Sequence, residues 1–175
     1  MNLYEIRNRT AYTANVKPTV KEATRTWLKT FAKDYPLALT LTLKQTIVEE
    51  TPIGTFRRAI NRQDCERITF RFQQKLNRSV FGKHHAERHG MSLKFIPVVE
   101  GERSGKNLHL HFAIGGLPDY VRLNQFDSLV SDAKKYVQNI DEQHKVDVAD
   151  SGWIEYITKE TATKHSDNVL WSLVK

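Results

Sequence analysis

An alternating segment, Asn107–Gly116, constrains the fold of this 175-residue chain more than any other stretch of the sequence. Successive side chains of a β-strand point to opposite faces of a sheet. One face of the predicted strand is therefore apolar and enters a core: Leu108, Leu110, Phe112 and Ile114. The other face carries His109 and His111, about 6–7 Å apart at a rise of roughly 3.3 Å per residue. Two imidazole nitrogens at this separation can share one divalent cation.

Composition places limits on the class of protein. The length and the apolar fraction of 39% fit one globular domain. Cys65 is the only cysteine, so an intrachain disulfide is excluded and a reducing, cytoplasmic setting is expected. The sequence contains no apolar run long enough to span a bilayer and no signal peptide, so we expect no membrane partner. A net charge of +7 favours a polyanionic partner.

Residue periodicity predicts helices and strands on both sides of this segment. Pro52 and Gly54 predict a loop, and Pro97 predicts a bulge or an edge position for its strand. Alternation predicts strands over Leu37–Lys44, Ser92–Glu100 and His144–Ala149. Spacings of three and four residues predict helices over Thr19–Asp34, Asp64–Phe81 and Leu123–Asn139, and a final helix that starts at Asp150 and carries Tyr156.

Polar and basic residues near the first strand are candidates for contacts with DNA phosphates. Small hydroxyl side chains beside a lysine suit a sheet face that meets a sugar-phosphate backbone, although an ordinary solvated face has the same pattern. The candidates are Thr40, Thr42, Lys44, Arg57, Arg58 and Lys106.

A carboxylate is expected beside the two histidines. Glu100 ends the strand that is predicted to pair with the histidine strand, so its side chain can lie near His109 and His111. Two imidazoles and one carboxylate suit Mg²⁺ or Mn²⁺, whereas a structural zinc site needs a fourth protein ligand.

The final predicted helix adds a nucleophile. Tyr156 and Lys159 are three residues apart and Tyr156 and Glu160 are four apart, so all three share a face. A tyrosine, a lysine and a two-histidine metal site together suit transesterification of a phosphodiester. The tyrosine is the candidate nucleophile, and the lysine stabilises phosphate or phenolate charge.

These motifs resemble those of the HUH endonucleases, and especially those of single-tyrosine rolling-circle replication initiators. They also occur in the same order along the chain as in that family. The matching segments are Leu39–Leu43, Glu100 with His109-Leu110-His111, and Tyr156-Ile157-Thr158-Lys159. The resemblance implies an α+β, ferredoxin-like domain with a central antiparallel sheet, helices on one face and the metal and tyrosine site on the other. Residues 36–175 would form this domain, and residues 1–35 an N-terminal arm and helix packed on it.

The resemblance also implies the activity. The enzyme would nick and rejoin single-stranded DNA through a covalent 5′-phosphotyrosine, and so initiate rolling-circle replication of a plasmid or phage. Its partners would be single-stranded or hairpin origin DNA, a separate helicase and a host polymerase.

Two alternatives stay open at this point. Single-tyrosine transposases of the same superfamily place a metal-binding glutamine four residues after the tyrosine, where this chain has Glu160. Glu160 is therefore the alternative to Glu100 as third metal ligand, and transposition is the alternative biology. A non-catalytic ferredoxin-like nucleic-acid-binding module is the alternative from another functional class.

Overall fold

A computed structural model describes residues 19–102, 107–150, 152–159 and 168–175. The predictions for residues 1–18, Lys106 and Glu160 lie outside these ranges. The strands are β1 Leu37–Leu43, β2 Thr46–Thr51, β3 Gly54–Ala59, β4 Lys94–Glu100, β5 His109–Gly115 and β6 Ile140–Val148. The helices are α1 Val20–Thr30, α2 Arg62–Phe81, α3 Lys83–Arg88, α4 Leu123–Lys135 and α5 Trp153–Ile157.

Four strands form one antiparallel sheet in the order β4-β5-β1-β6. Along the chain, α2 connects β1 to β4 and α4 connects β5 to β6. This βαββαβ order with β1 and β5 in the centre is compatible with a ferredoxin-like fold. The predicted α+β class and antiparallel sheet are confirmed.

One face of the sheet is closed by α2 and α4. The alternation of β5 predicted that Leu110, Phe112 and Ile114 enter the core, and all three side chains are 0% exposed. Phe72 of α2 packs against Phe112 with ring centroids 5.5 Å apart. Each such side chain contributes about 1.5–3 kcal/mol to folding by leaving water.

The opposite face is also covered, but only in part. The resemblance implied helices on one face alone, and this expectation is wrong because β4 and β5 carry apolar residues on both faces. Leu28 of α1 and Ile154 of α5 cluster with Ile96, Val98 and Ala113. Lys29 and Glu155 form an ion pair of 2.8 Å between α1 and α5.

The predicted edge position of Pro97 is confirmed, because β4 ends the sheet. The segment 168–175 runs along this edge. Val99 N donates to Asn168 O over 2.9 Å, and Leu170 N donates to Pro97 O over 2.9 Å. The C-terminal segment therefore satisfies strand groups that an edge would expose.

Three regions differ from the predictions, and one is the strand predicted over His144–Ala149, which is β6 and begins at Ile140. The region around Pro52 and Gly54 is the turn of a hairpin formed by β2 and β3, and not a longer loop. The helix predicted to reach Asn139 ends at Lys135 with Tyr136 as its C-cap, and Asn139, with a positive φ of 72°, leads directly into β6. Asparagine tolerates this left-handed conformation better than most residues. In the described ranges, no helix combines the length and apolarity needed to cross a bilayer.

Candidate active site

Strand register brings residues of the first two motifs to one place on the partly covered face. Thr40 of β1 lies opposite His111 of β5, and Thr42 lies opposite His109. On the other side of β5, Glu100 of β4 lies opposite His109. Directly opposed residues point to the same face. The pairing predicted between the strand of Glu100 and the histidine strand is therefore present.

His111 is the buried centre of the site, at 3% exposure. Its Nδ1 lies 2.9 Å from Thr40 Oγ1, and its Nε2 contacts Glu100 Oε2. Burial lowers the pKa of His111 below its ordinary value, although the Glu100 carboxylate opposes the shift. A histidine with a lowered pKa is largely neutral at pH 7, the form that ligates metals.

Glu100 connects the strand residues to Lys159, which follows α5. One carboxylate oxygen contacts His111, and the other lies 2.5 Å from Lys159 Nζ. Burial would raise the pKa of Glu100, but hydrogen bonds from Lys159 and His111 outweigh it and hold the pKa below its ordinary value. Burial would likewise lower the pKa of Lys159, but contacts with Glu100 and Tyr156 raise it. The two groups therefore form an ion pair.

Tyr156 lies directly beside this network. Its ring packs edge-on against His111 at 5.3 Å between centroids, and Lys159 Nζ lies 3.8 Å from the centre of the ring. Tyr156 is 44% exposed, so a large substrate can reach it. The helix α5 ends at Ile157, before Lys159, yet the two residues still meet because Lys159 N donates to Tyr156 O over 3.1 Å.

His111 and Glu100 carry the kinds of donor atom that divalent cations take in proteins. The described residues contain no preformed group of three His, Cys, Asp or Glu side chains arranged around a metal position. However, His111 Nε2 and a Glu100 oxygen are directed at each other, as in the tautomer that carries its proton on Nε2. When Nδ1 carries the proton instead, Nε2 and the carboxylate become two ligands of the kind that Mg²⁺ or Mn²⁺ accepts. The Thr40 hydroxyl suits both states, because it can donate to Nδ1 or accept from it.

The residues predicted to contact DNA have different surroundings. Lys44 and Arg57 are exposed, and Thr42 is half-buried. Thr40 is occupied by His111. Arg58 binds the buried Asp64 over 2.5 and 2.9 Å and Glu49 over 2.7 Å. The Arg58 guanidinium thus braces the β2–β3 hairpin against α2.

Trp153 is a site residue that sequence reasoning did not single out. Its indole is stacked on Tyr156 at 5.4 Å and 13° between planes, and it meets the edge of His111 at 5.7 Å. Its position three residues before Tyr156 was the only sequence signal, since such residues are neighbours on a helix. Trp153 and His111 together fix the position of the Tyr156 ring.

Comparison of the chain with protein-family models, with curated proteins and with solved structures finds no match. Membership of the HUH superfamily therefore stays a prediction from the order of the motifs. A function has to be inferred from the contacts within the site.

Proposed function

We propose that this protein is a metal-dependent HUH endonuclease that nicks and rejoins single-stranded DNA through a covalent 5′-phosphotyrosine. The observation that carries the proposal is the contact of Glu100 with both His111 and Lys159, directly beside Tyr156. These residues belong to two separate motifs of the HUH pattern, Glu100 with His111 and Tyr156 with Lys159, which lie far apart in the sequence. A chance resemblance of short motifs would not require them to meet.

The chemistry assigned to Tyr156 is a transesterification. Its phenolic oxygen attacks the scissile phosphorus, the new O–P bond forms, and the bond from phosphorus to the 3′ oxygen breaks. The 3′ oxygen leaves as a hydroxyl after protonation, and the phenolic proton passes to solvent. Attack by a 3′ hydroxyl on the phosphotyrosine reverses the step, so that rejoining needs no external energy source.

Lys159 and the metal ligands support this step in different ways. The Lys159 ammonium, 3.8 Å from the Tyr156 ring centre, favours negative charge on the phenol and on the phosphate. Thr40 holds the His111 imidazole in place. A divalent cation held by His111, Glu100 and His109 would supply Lewis-acid polarisation of the scissile phosphate.

The charge of the protein supports a nucleic-acid substrate. The chain carries a net charge of +7, and Lys44 and Arg57 are exposed on the described surface. Exposed cations of this kind neutralise phosphates and release counterions. The proposed biological role is initiation of rolling-circle replication of a plasmid or phage at single-stranded or hairpin origin DNA, with a separate helicase and a host polymerase.

A covalent-capture experiment tests the proposal without knowledge of the recognised site. The protein is incubated with Mn²⁺ and a single-stranded oligonucleotide library that has a random core, and adducts are separated on a denaturing gel. We expect an adduct with wild type that is lost with Tyr156→Phe and with EDTA. Tight metal-independent binding with no adduct would contradict the proposal and favour a non-catalytic binding module.

A further inference from the structure

An apolar recess of about 250 Å³ lies between α1 and α5 on the same face as the candidate site. Leu28, Ile96, Ala113 and Ile154 contribute to its walls, and the charged side chains of Lys33 and Asp150 also border it. Trp153 separates this recess from the site, because it lines the recess and also contacts His111 and Tyr156.

A second recess of about 210 Å³ continues from the same tryptophan. It shares Trp153 and Asp150 with the first recess, and it includes Thr40 and Lys145. Thr40 is the residue that holds His111. Trp153 therefore lies where the candidate nucleophile, an apolar recess and a polar recess meet.

The Trp153 indole has an unused hydrogen-bond donor. Its Nε1 is buried, and no acceptor within the described residues is bonded to it. Buried tryptophan N–H groups usually have a partner, because an unpaired buried donor is unfavourable. Because this N–H is buried and lies in the plane of the ring, a group stacked on the indole leaves it unpaired, and the donor does not select the ligand.

We propose that the apolar recess receives one unpaired nucleobase of single-stranded DNA next to the cleaved linkage, stacked on Trp153. The choice of DNA as the ligand rests on the proposed function. The choice of a base, and not of a phosphate, follows from the mostly apolar walls, since a phosphate would lose its hydration there and the Asp150 carboxylate at the recess offsets the charge of Lys33. A base also continues the parallel stack that Trp153 and Tyr156 already form.

Fluorescence of Trp153 reports occupancy directly. In the double variant Trp27→Phe/Trp171→Phe, Trp153 is the only tryptophan of the chain. This protein is titrated in EDTA, where no cleavage is expected, with two decamers of equal charge. One is abasic throughout, and the other carries a single adenine at its centre. We expect the single-base decamer to quench Trp153 and to bind about tenfold more tightly than the abasic one.

A filled recess provides the matched test. Ala149 lines the recess and is only half-buried, so Ala149→Leu fills space without disturbing the core. We expect this variant to lose the tenfold preference while its thermal melt stays close to that of the parent. Ala86→Leu on α3, also half-buried but outside the recess, should keep the preference.

Three outcomes would overturn the proposal. The first is equal quenching by both decamers, because the DNA backbone alone would then reach Trp153. The second is no quenching by either decamer, and the third is a preference that Ala149→Leu leaves unchanged. Adduct formation without base preference would reject base binding in the recess and leave the proposed nuclease activity standing. Base preference without any adduct would reject the nuclease activity and leave base binding standing.

Discussion

The two faces of the central sheet use alternate residues of the same strands for different purposes. Under α2 and α4, Leu41, Leu110 and Phe112 are 0% exposed and pack with other apolar residues. On the opposite face, Thr40, His111 and Glu100 form a polar network that is covered only in part. The comparison teaches that a strand with a period of two can anchor the fold on one side and hold reactive groups rigidly on the other.

Two carboxylates, Asp64 and Glu100, are each held by two basic side chains. Asp64 at the start of α2 binds Arg58 and Arg67, and its side chain is 1% exposed. Glu100 binds Lys159 and His111 at 14% exposure. Asp64 lies far in sequence from any motif of the site and braces the hairpin. The first network is therefore assigned to stability and the second to chemistry.

The largest expected effect comes from a substitution in the core under α2 and α4. Phe112→Ala removes a fully buried ring that packs against Phe72 and should lower the free energy of unfolding by about 3–5 kcal/mol, measured by urea denaturation. The neighbouring His111→Ala should lower it by less than half as much but abolish the adduct. Equal losses of stability would contradict the division between the faces.

Next in size is the loss of the cation beside the nucleophile. Lys159→Met should slow adduct formation by about 100-fold, since it removes positive charge next to Tyr156 and Glu100. The rate is measured in single-turnover assays at saturating Mn²⁺. Lys29→Met, which breaks an exposed lysine–glutamate pair between α1 and α5, is the matched control and should leave the rate unchanged.

The structural carboxylate gives a smaller effect that depends on pH. Hydrogen bonds from Arg58, with those from Asn61 and Arg67, outweigh burial and hold the pKa of Asp64 well below its ordinary value. The stability it supplies is therefore present above the ordinary carboxyl pKa and is lost as the pH falls through the folded-state value. Asp64→Asn should cost about 2 kcal/mol at pH 7.

The pH dependence is measured by urea denaturation of wild type and of Asp64→Asn. The difference in unfolding free energy between wild type and Asp64→Asn should shrink between pH 5 and about pH 3. A difference that stays constant over this range would show that Asp64 does not act through its charge.

The smallest expected effect concerns the hydroxyl behind His111. Thr40→Val keeps the shape of the side chain but removes the partner of Nδ1, and should slow the adduct about tenfold with a matching loss of Mn²⁺ affinity. Thr40→Ser retains the hydroxyl and should remain close to wild type. Similar rates for all three proteins would mean that Thr40 does not orient His111.

Much of the fold follows from local patterns. The strands around Leu39 and Phe112 have strict alternation, and the predicted helix ending at Phe81 does end there. The β2–β3 hairpin was missed because its strands are mostly polar and exposed, so they lack an alternating apolar face. The turn from α4 into β6 depends on the backbone conformation of Asn139, which periodicity does not encode.

The site divides in the same way. His111, Glu100, Tyr156 and Lys159 were selected from the sequence by residue type and spacing. The partnership of Thr40 with His111 depends on the register between β1 and β5, and a slip of one residue would turn every side chain to the other face. The engagement of Arg58 by Asp64 and the position of Trp153 depend on tertiary packing, which no local pattern specifies.

The most direct test of the central claim is the mass of the tryptic peptide 146–159 after reaction with Mn²⁺ and the captured oligonucleotide. Tyr156 is the only tyrosine in this peptide. We expect the peptide to carry a nucleotide linked through a 5′ phosphate to Tyr156, in wild type and not in Tyr156→Phe. An unmodified peptide in a reaction that cuts DNA, or a nucleotide linked through its 5′ phosphate to another residue, would contradict the account.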